Sequence, residues 1–381
     1  MWLETARNPK APLAGLKVLE LARVLAGPWV GQTLADLGAD VIKVESPEGD
    51  GTRQWGPPWV EHEGERAAAY YHACNRGKRS VVADFKDGED LDRVKQLAAG
   101  ADVLVENFKT GTLAKFGLDY ESLARANPGL VYCSVTGFGQ TGPRAHQAGY
   151  DFVIQAMSGF MSLTGEPDGQ PMKMGISISD LTCGLYSVIG IQAALAMRER
   201  TGRGQLVDMA LLDCSVGLLA SQATHFLTTG ENPPRMGNEH AQVSAYGVFP
   251  VADGEVVLAP ANDGLFRRLL TLLGRDDLLG EERFATNEAR LANRGELDAM
   301  IAGETRKWQK EELLARCSSA GIPAGPINAI DAVFDDPQVQ ARGMRVDLDG
   351  VPGVRSPFTF SDAELALDHP SPRKGEDSQS G

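Results

Sequence analysis

The stretch GISISDLTCG, residues 175–184, leads into an apolar run from Leu185 to Met197. Its isoleucines alternate with serines, which predicts a short half-buried strand. From Thr182 onward, apolar residues cover most faces of a helix, which indicates a buried helix. Asp180 is therefore expected just before a core helix, where unpaired N–H groups and the helix dipole favour an ionised carboxylate. Local sequence alone fits a helix-capping aspartate as well as a functional one.

Working outward, strands alternate with helices along the first half of the chain. The clearest unit consists of a strand at Lys17–Leu21, a helix at Pro28–Leu37 and a strand at Asp40–Glu45. This alternation predicts an α/β fold with a mainly parallel sheet and right-handed crossovers. Ligands of such sheets bind outside the carboxyl ends of the strands. Further strands are predicted at Val81–Phe85, Ala101–Asn107, Leu130–Val135 and Leu206–Ala210.

Two stretches rich in Gly and Pro, residues 230–245 and 321–328, are typical of linkers. Between them, a hairpin at Tyr246–Ala259 precedes several helical patterns, which predicts a smaller α+β domain. We therefore assign residues 1–229 and 321–381 to a discontinuous large domain and residues 230–320 to the small one. The polar tail that begins at His369 is expected to be mobile.

Composition excludes several classes of protein. The net charge of −14 opposes a general affinity for nucleic acid or anionic membranes. The five cysteines are widely spaced, which favours free thiols in a reducing cytoplasm over disulfides or a metal site. The first residues lack a signal-peptide pattern, and the apolar runs fall short of the ~20 residues that span a bilayer. We expect a cytoplasmic protein without a metal.

The segment GFGQTG at residues 137–142 matches the G-x-G-x-x-G pattern and follows a predicted strand. However, Pro143 and Arg144 follow it in place of an apolar helix, and no acidic residue ends a strand ~20 positions later. The context argues against a dinucleotide site.

Basic residues recur in loops after successive strands. They are either solvated surface charges or anchors for a polyphosphate. They are Arg76, Lys78, Arg79, Lys86, Lys109 and Lys115.

Several segments resemble, in order, the class III CoA-transferases, the CaiB/BaiF family. The resemblance runs from about Leu13 to about Gly343 and implies an acyl-CoA enzyme with a Rossmann-like large domain, a smaller domain and an interlocked homodimer. The matching segments are GLKVLEL (15–21), VLAGP (24–28), LGADVIKVE (37–45), ENF (106–108), GFGQTGP (137–143), GYD (149–151), SD (179–180) and TGRGQ (201–205).

The resemblance also implies roles for individual residues. Asp180 matches the aspartate nucleophile, and Asp151 matches an acidic residue near the reacting thioester. Coenzyme A and acyl-CoA would be substrates, with no permanently bound cofactor. The residues that match CoA-binding positions are Leu25, Ala26, Ala83, Asp84, Lys86, Asn107, Phe108, Lys109, Lys115 and Tyr150.

The chain also departs from relatives within the family. Leu25 stands where formyl-CoA transferases have Gln, and the glycine-rich loop of those enzymes is missing between Pro234 and Gly247. Tyr150 stands where the α-methylacyl-CoA racemases have His, and a phenol with a pKa of ~10 is a poor base at neutral pH. CoA transfer is therefore favoured, with an acyl-CoA racemase or epimerase that uses Asp180 and Asp151 as the alternative.

Among the transferases, the motifs look most like the succinyl-CoA-dependent dicarboxylate branch. A dicarboxylate needs a cation for its second carboxylate, because an unpaired buried charge is costly. Arg53 and Arg235 lie in loops that could close over the site, although either could be an ordinary surface arginine. Backbone N–H groups of the loop at 136–142 are expected to stabilise the tetrahedral oxyanions.

Overall fold

The computed structural model describes residues 2–3 and 8–378. The chain divides into two compact units, the first formed by Met1–Met161, Lys173–Glu231 and Pro337–Gly381 and the second by Ser162–Met172 and Asn232–Asp336. Residues 162–172 and 321–336 thus fall in the second unit, whereas the sequence suggested the large domain. Backbone hydrogen bonds explain the difference, since Gly237 N–H binds the carbonyl of Gly165 and Ala324–Pro326 pairs with a strand of the second unit.

A parallel sheet forms the centre of the first unit, with its strands in the order Arg79–Val82 (β5), Asp40–Glu45 (β2), Lys17–Glu20 (β1), Val103–Glu106 (β6), Val131–Thr136 (β7) and Leu206–Ala210 (β8). The mixed α/β class predicted from the sequence is confirmed. The elements up to residue 229 are β1 Lys17–Glu20, α1 Ala26–Asp36, β2 Asp40–Glu45, β3 Trp59–His62, β4 Glu65–Ala68, α2 Ala69–His72, β5 Arg79–Val82, α3 Gly88–Ala99, β6 Val103–Glu106, α4 Tyr120–Ala126, β7 Val131–Thr136, α5 Asp151–Met157, α6 Phe160–Leu163, α7 Ile178–Thr201, β8 Leu206–Ala210, α8 Leu211–Gly217 and α9 Ala220–Thr229.

Helices cover both faces of this sheet, so consecutive strand residues are buried on opposite sides. Val18 packs with Val30 of α1 and Ile191 of α7, whereas Leu19 packs with Val94 of α3. Burial on both faces explains why neighbouring residues such as Val18 and Leu19 are both apolar. The carboxyl ends of the strands remain as the place where a ligand-binding site can form.

Residues 175–184 fold differently from the prediction. Helix α7 begins at Ile178, so the expected strand at 175–179 does not form and Asp180 lies in the first helical turn. Tertiary packing of the apolar side chains outweighs the short alternation.

By length and composition α7 could cross a membrane, but core helices share these properties, and its Cys183, Val188 and Ile191 are buried against the sheet.

The second unit contains a small antiparallel sheet with the order β11-β10-β9. Its core includes Phe249, Leu258, Phe266 and Leu297. The elements from residue 247 onward are β9 Gly247–Val251, β10 Gly254–Leu258, α10 Asp263–Leu272, α11 Asn287–Ala292, α12 Arg294–Thr305, α13 Lys310–Ser319, β11 Ala324–Pro326 and α14 Ile330–Asp335; the chain then returns to the first unit with α15 Pro337–Ala341, β12 Arg345–Leu348 and β13 Val351–Val354.

The C-terminal segment at 370–378 packs against the edge strand β5. The N–H of Ser80 donates to the Asp377 carboxylate at 3.0 Å, and the N–H of Val82 donates to Ser378 Oγ at 3.0 Å. The carbonyl of Pro372 accepts from Arg53 and Tyr71. The expectation of a mobile tail is therefore wrong for residues 370–378, because their polar groups satisfy an open sheet edge.

Candidate active site

A cavity of about 300 Å³ lies at the carboxyl ends of β1, β6 and β7. This is the position at which parallel α/β sheets bind ligands. Its lining includes Asp180 and several residues that the sequence analysis singled out, namely Leu25, Ala26, Asn107, Phe108, Lys109 and Tyr150. The fold thus brings the proposed nucleophile and six predicted CoA-binding residues to one cavity.

Asp180 reaches this cavity because α7 and α1 approach closely. A Cβ on Gly184, one turn after Asp180, would lie 3.0 Å from the carbonyl oxygen of Ala26 and 3.0 Å from the ring of Trp29. Only glycine permits that contact without displacing the neighbours. Helix α1 starts at Ala26 with no side-chain cap and no acidic residue in its first turn. The first N–H groups of α1 are therefore available beside Asp180.

Burial raises the pKa of Asp180 from its usual 3.8 to about 7, and the nearby charge of Asp151 contributes in the same direction. The expectation of a firmly ionised carboxylate was wrong, because loss of solvent outweighs the position at a helix N-terminus. A carboxyl group with this pKa gains and loses its proton near neutral pH. Perturbed groups of this kind concentrate at functional sites.

Asp151 is the first residue of α5, and its carboxylate holds two other groups. One oxygen accepts from the backbone N–H of Ser179 at 2.9 Å, and the other accepts from Gln155 Nε2 at 2.7 Å. Gln155 in turn accepts from the N–H of Met174 at 2.9 Å. These bonds fix the segment before Asp180. They favour a positioning role for Asp151 over one as an acid or base toward substrate.

A second cavity, of about 340 Å³, holds other predicted CoA-binding residues, namely Ala83, Asp84 and Lys86. Arg23, Gly51 and Phe108 line both cavities. Lys115 lines neither and is exposed on a 3-10 helix at Leu113–Phe116. The two cavities therefore form one groove that runs from Asp180 past Arg23 to Lys86.

The sequence analysis missed Arg23, which lines the groove, and Tyr70, which lies near Asp180. Arg23 sits where the cavities meet, with its guanidinium 5.0 Å from the centre of the Phe108 ring. Its backbone N–H and carbonyl bind the side-chain amide of Asn107, at 3.0 Å and 2.6 Å. Its position directly after the first predicted strand was an available signal.

Tyr70 was missed because a helix of four residues leaves no periodic pattern. Burial, followed by the charge of Asp180, raises the pKa of the Tyr70 hydroxyl to about 12. The ring packs edge-on against Trp55, with centroids 5.2 Å apart. Tyr70 thus remains a neutral hydrogen-bonding group beside the nucleophile.

Arg53 does not have the role proposed from the sequence. Its guanidinium is buried and binds Glu45 at 2.7 Å, Glu65 at 2.6 Å and the hydroxyl of Tyr71 at 2.7 Å. Together with the carbonyl of Pro372, these partners use the hydrogen-bond donors of the Arg53 guanidinium. Arg235 lies in the second unit, where it donates to the carbonyls of Glu166 and Gly169.

Other basic residues also have structural partners. Arg76 pairs with Asp36 at 2.6 Å, Lys78 with Glu20 at 2.7 Å, and Arg79 binds Asp40 at 2.8 Å. All three pairs are buried or nearly so. A polyphosphate could reach them only by breaking these pairs, so of the six basic residues only Lys86 and Lys109 line the groove.

The glycine-rich loop at 137–142 makes a close backbone contact. A Cβ on Gly137 would lie 2.6 Å from the Cα of Gly149. The N–H of Gly139 donates to Thr136 Oγ1, and the N–H of Gln140 donates to the Asp208 carboxylate. Those two amides are unavailable for the predicted oxyanion role.

Comparisons with known proteins agree with this site. Residues 13–378 match the model of CoA-transferase family III. The succinate–glutarate CoA-transferase of Agrobacterium fabrum is 57% identical over 377 residues, which cover 97% of this chain and 94% of the relative. The succinyl-CoA:glutarate CoA-transferase of Mus musculus is 39% identical over 364 residues, covering 93% and 83%.

A solved structure is similar throughout. The crystal structure of a CaiB/BaiF family protein from Brucella suis superimposes with a TM-score of 0.90 at 58% sequence identity. The match covers 97% of this chain and 98% of that one. By family model, sequence and structure, this chain belongs to CoA-transferase family III and is an enzyme of that class.

Proposed function

We propose that this enzyme transfers coenzyme A from succinyl-CoA to a dicarboxylic acid, with glutarate as the first candidate. One observation carries the chemistry: Asp180 lies in the cavity beside the uncapped start of α1, with a pKa of about 7. The names of relatives that are 57% and 39% identical support the choice of donor and acceptor.

The reaction proceeds through covalent intermediates at Asp180. The ionised carboxylate attacks the thioester carbonyl of succinyl-CoA, and the C–S bond breaks to give a mixed anhydride and CoA thiolate. The thiolate attacks the aspartyl carbonyl of this anhydride and releases succinate, leaving an aspartyl-CoA thioester. The acceptor carboxylate repeats these steps in reverse, so that the new acyl-CoA leaves and Asp180 is regenerated.

The tetrahedral intermediates carry an oxyanion that needs hydrogen-bond donors. We assign this role to the N–H groups at the start of α1, those of the N-cap residue Leu25 and of Ala26, in place of the loop at 136–142. Both residues line the cavity with Asp180. Their helix has no acidic side chain in its first turn to compete for these N–H groups.

The groove suits an extended acyl-CoA. Its first cavity takes the thioester and pantetheine arm, and its second takes the nucleotide. Arg23 lies between them, where the diphosphate would pass, and Lys86 and Lys109 supply charge on either side. Arginine suits phosphate oxygens because it can donate two parallel hydrogen bonds.

Incubation of the enzyme with succinyl-CoA and single acids tests the proposal. We expect glutaryl-CoA and other C4–C6 dicarboxylate thioesters by mass spectrometry, and little product from formate or oxalate. A preference for formate or oxalate would overturn the substrate class. Exchange of the α-proton of an acyl-CoA in D₂O, without transfer, would instead support the racemase alternative.

We further propose an interlocked homodimer in which both ends of the chain build the large domain. Apolar side chains exposed on helices of the first unit support an intersubunit surface, because monomers rarely expose large contiguous apolar patches. Examples are Phe152 and Val153 on α5, Ile189 on α7, which is 62% exposed, and Leu227 on α9, which is 81% exposed. Light scattering that finds a stable monomer at micromolar concentration would contradict the dimer.

A further inference from the structure

The turn that joins β1 to α1 is strained at Val24. Its φ angle is +72°, in the left-handed region that β-branched residues very rarely adopt. Such conformations persist only where the surrounding structure enforces them, and they cluster at functional sites. Val24 lines the first cavity together with Leu25 and Asp180. The strain therefore lies in the wall of the active site.

Side chains from three other segments hold this turn. The Val24 N–H donates to the Asp50 carboxylate, 3.3 Å from its nearer oxygen. The Val24 carbonyl accepts from Cys74 Sγ at 3.5 Å. The backbone of Arg23 is bound on both sides by the amide of Asn107. Among these partners, only Asp50 contacts the N–H of the strained residue.

Asp50 is itself held by buried charge. It is 3% exposed, and its carboxylate lies 3.0 Å from Lys43 Nζ, which also pairs with Glu20 at 3.0 Å. Burial alone would raise the pKa of Asp50, but Lys43 and the N–H of Thr52 lower it below its usual value. Asp50 therefore stays ionised and presents a charged acceptor to Val24. Hydrogen bonds to a charged group are stronger than neutral ones.

We propose that Asp50, supported by Lys43, is a positioning residue that holds the strained turn at Val24 and so aims the first N–H groups of α1 at the carbonyl that reacts with Asp180. Asp50 borders the second cavity, but it is only 3% exposed, and its effect on the reaction is exerted through the turn. The role rests on the proposed CoA-transfer function. A shift of about 1 Å in reacting groups can cost on the order of 10²-fold in rate, so loss of the turn should reduce kcat.

The test compares Asp50→Asn in two backgrounds, the natural chain and the Val24→Gly variant. Glycine adopts positive φ without strain, so the turn needs no enforcement in the second background. We expect Asp50→Asn to lower kcat at least about tenfold in the natural chain, and by less than about threefold when added to Val24→Gly. Within each background, Asp50→Asn should change the KM for acyl-CoA by less than about threefold, because the carboxamide keeps the shape of the carboxylate that it replaces.

Asp36→Asn is the matched control. Asp36 is an equally buried, ion-paired carboxylate at the other end of α1, bound to Arg76. Asp36→Asn should lower thermal stability, and any change that it causes in kcat should be the same with and without Val24→Gly. If Asp50→Asn does not fold, Asp50→Glu, which keeps the charge but moves the carboxylate, is measured in the same two backgrounds with the same expectation.

Equal losses of kcat in both backgrounds would overturn the positioning role and leave Asp50 as a stabilising residue. A natural enzyme that transfers CoA to no acid would overturn the proposed function instead. The two failures are therefore distinguishable from one set of assays.

Discussion

The backbone N–H of Ser179 donates to the carboxylate of Asp151 at 2.9 Å, one residue before Asp180. Asp151 therefore performs the capping task that the sequence assigned to Asp180, and it does so from another helix. Its negative charge also helps to raise the pKa of Asp180. One side chain thus helps to set both the position of the proposed nucleophile and, together with burial, its pKa.

The pH dependence of transfer should reflect this arrangement. Asp180 attacks as a carboxylate, so kcat/KM is expected to rise with pH through about 7, the pKa of the buried group. Asp151→Asn removes a negative neighbour, lowers the pKa of Asp180 and should move the midpoint of this rise to lower pH. Rate profiles between about pH 5 and 9 would measure it.

Asp119→Asn is the control for that experiment. Asp119 also caps a helix of the first unit, by accepting from the N–H of Ser122 at 3.3 Å, but it does not contribute to the pKa of Asp180. Its loss should leave the midpoint unchanged. An unchanged midpoint in Asp151→Asn as well would contradict the electrostatic coupling.

Substitution of Asp180 should separate catalysis from stability. Asp180→Asn should abolish transfer, and hydroxylamine with succinyl-CoA should modify Asp180 alone in the natural enzyme.

Because the folded pKa of about 7 exceeds the usual 3.8, the carboxyl's stabilising contribution is full below pH 3.8 and is lost as pH rises through 7. Asp180→Asn should therefore raise the melting temperature at pH 8 and have little effect at pH 4.

That stability gain is about 1–2 kcal/mol, less than the full pKa shift implies, because the side chain is partly exposed. Differential scanning calorimetry at the two pH values measures it. Retained transfer by Asp180→Asn would remove Asp180 from the mechanism.

Arg53→Met should destabilise the fold without selecting among acceptors. It leaves Glu45, which is 3% exposed, without its closest cation. Breaking a buried pair in this way costs roughly 3–5 kcal/mol. In the natural enzyme, Arg53 lowers the pKa of Glu45 against the effect of burial. The ion pair therefore stabilises the fold at pH values above the pKa that Glu45 has in the unfolded chain, and this contribution disappears in acid. Arg53→Met loses this contribution.

Urea denaturation at pH 7 measures the loss from Arg53→Met. Arg275→Met is the comparison, because Arg275 pairs with an exposed Asp277 and should contribute less than about 1 kcal/mol. A selective loss of dicarboxylate acceptors in Arg53→Met, with stability unchanged, would restore the role proposed from the sequence.

Arg23→Gln should weaken binding of the nucleotide part of CoA. Loss of a charged hydrogen-bond donor to phosphate should raise the KM for succinyl-CoA about tenfold. The KM for succinyl-pantetheine, which lacks the diphosphate, should not change. Arg66→Gln is the control, since Arg66 lies over the ring of Trp59 at 4.5 Å and lines neither cavity. Equal effects on both thioesters would refute the assignment.

Much of the fold could be predicted because its determinants are local. The strand predicted at Asp40–Glu45 matches the structure, since it is a short run with clear boundary residues. The sequence from Asp213 to Thr229 also predicts one long helix, whereas the structure has two helices, α8 and α9, with a φ of +44° at Ala220. The strand expected from the alternation before Asp180 also failed, because packing of Cys183, Val188 and Ile191 against the sheet favours the helix α7.

The site could be predicted where the chain resembles the class III CoA-transferases, as for Leu25, Asn107 and Asp180, which line one cavity. Partners distant in the chain could not be read from the sequence. Arg53 bonds with Pro372, 319 residues away. The raised pKa of Asp180 was equally hidden, because it depends on burial that only the folded chain defines.

The contact between β5 and the segment at 370–378 sets an order of events during synthesis. Ser80 and Asp377 are 297 residues apart, so at ribosomal rates of ~5–20 residues per second the edge of β5 waits roughly 15–60 s for its covering segment. During that interval the nascent chain exposes an unpaired strand edge, the kind of surface that templates aggregation. The growing polypeptide should therefore depend on chaperones most strongly before this segment emerges from the ribosome.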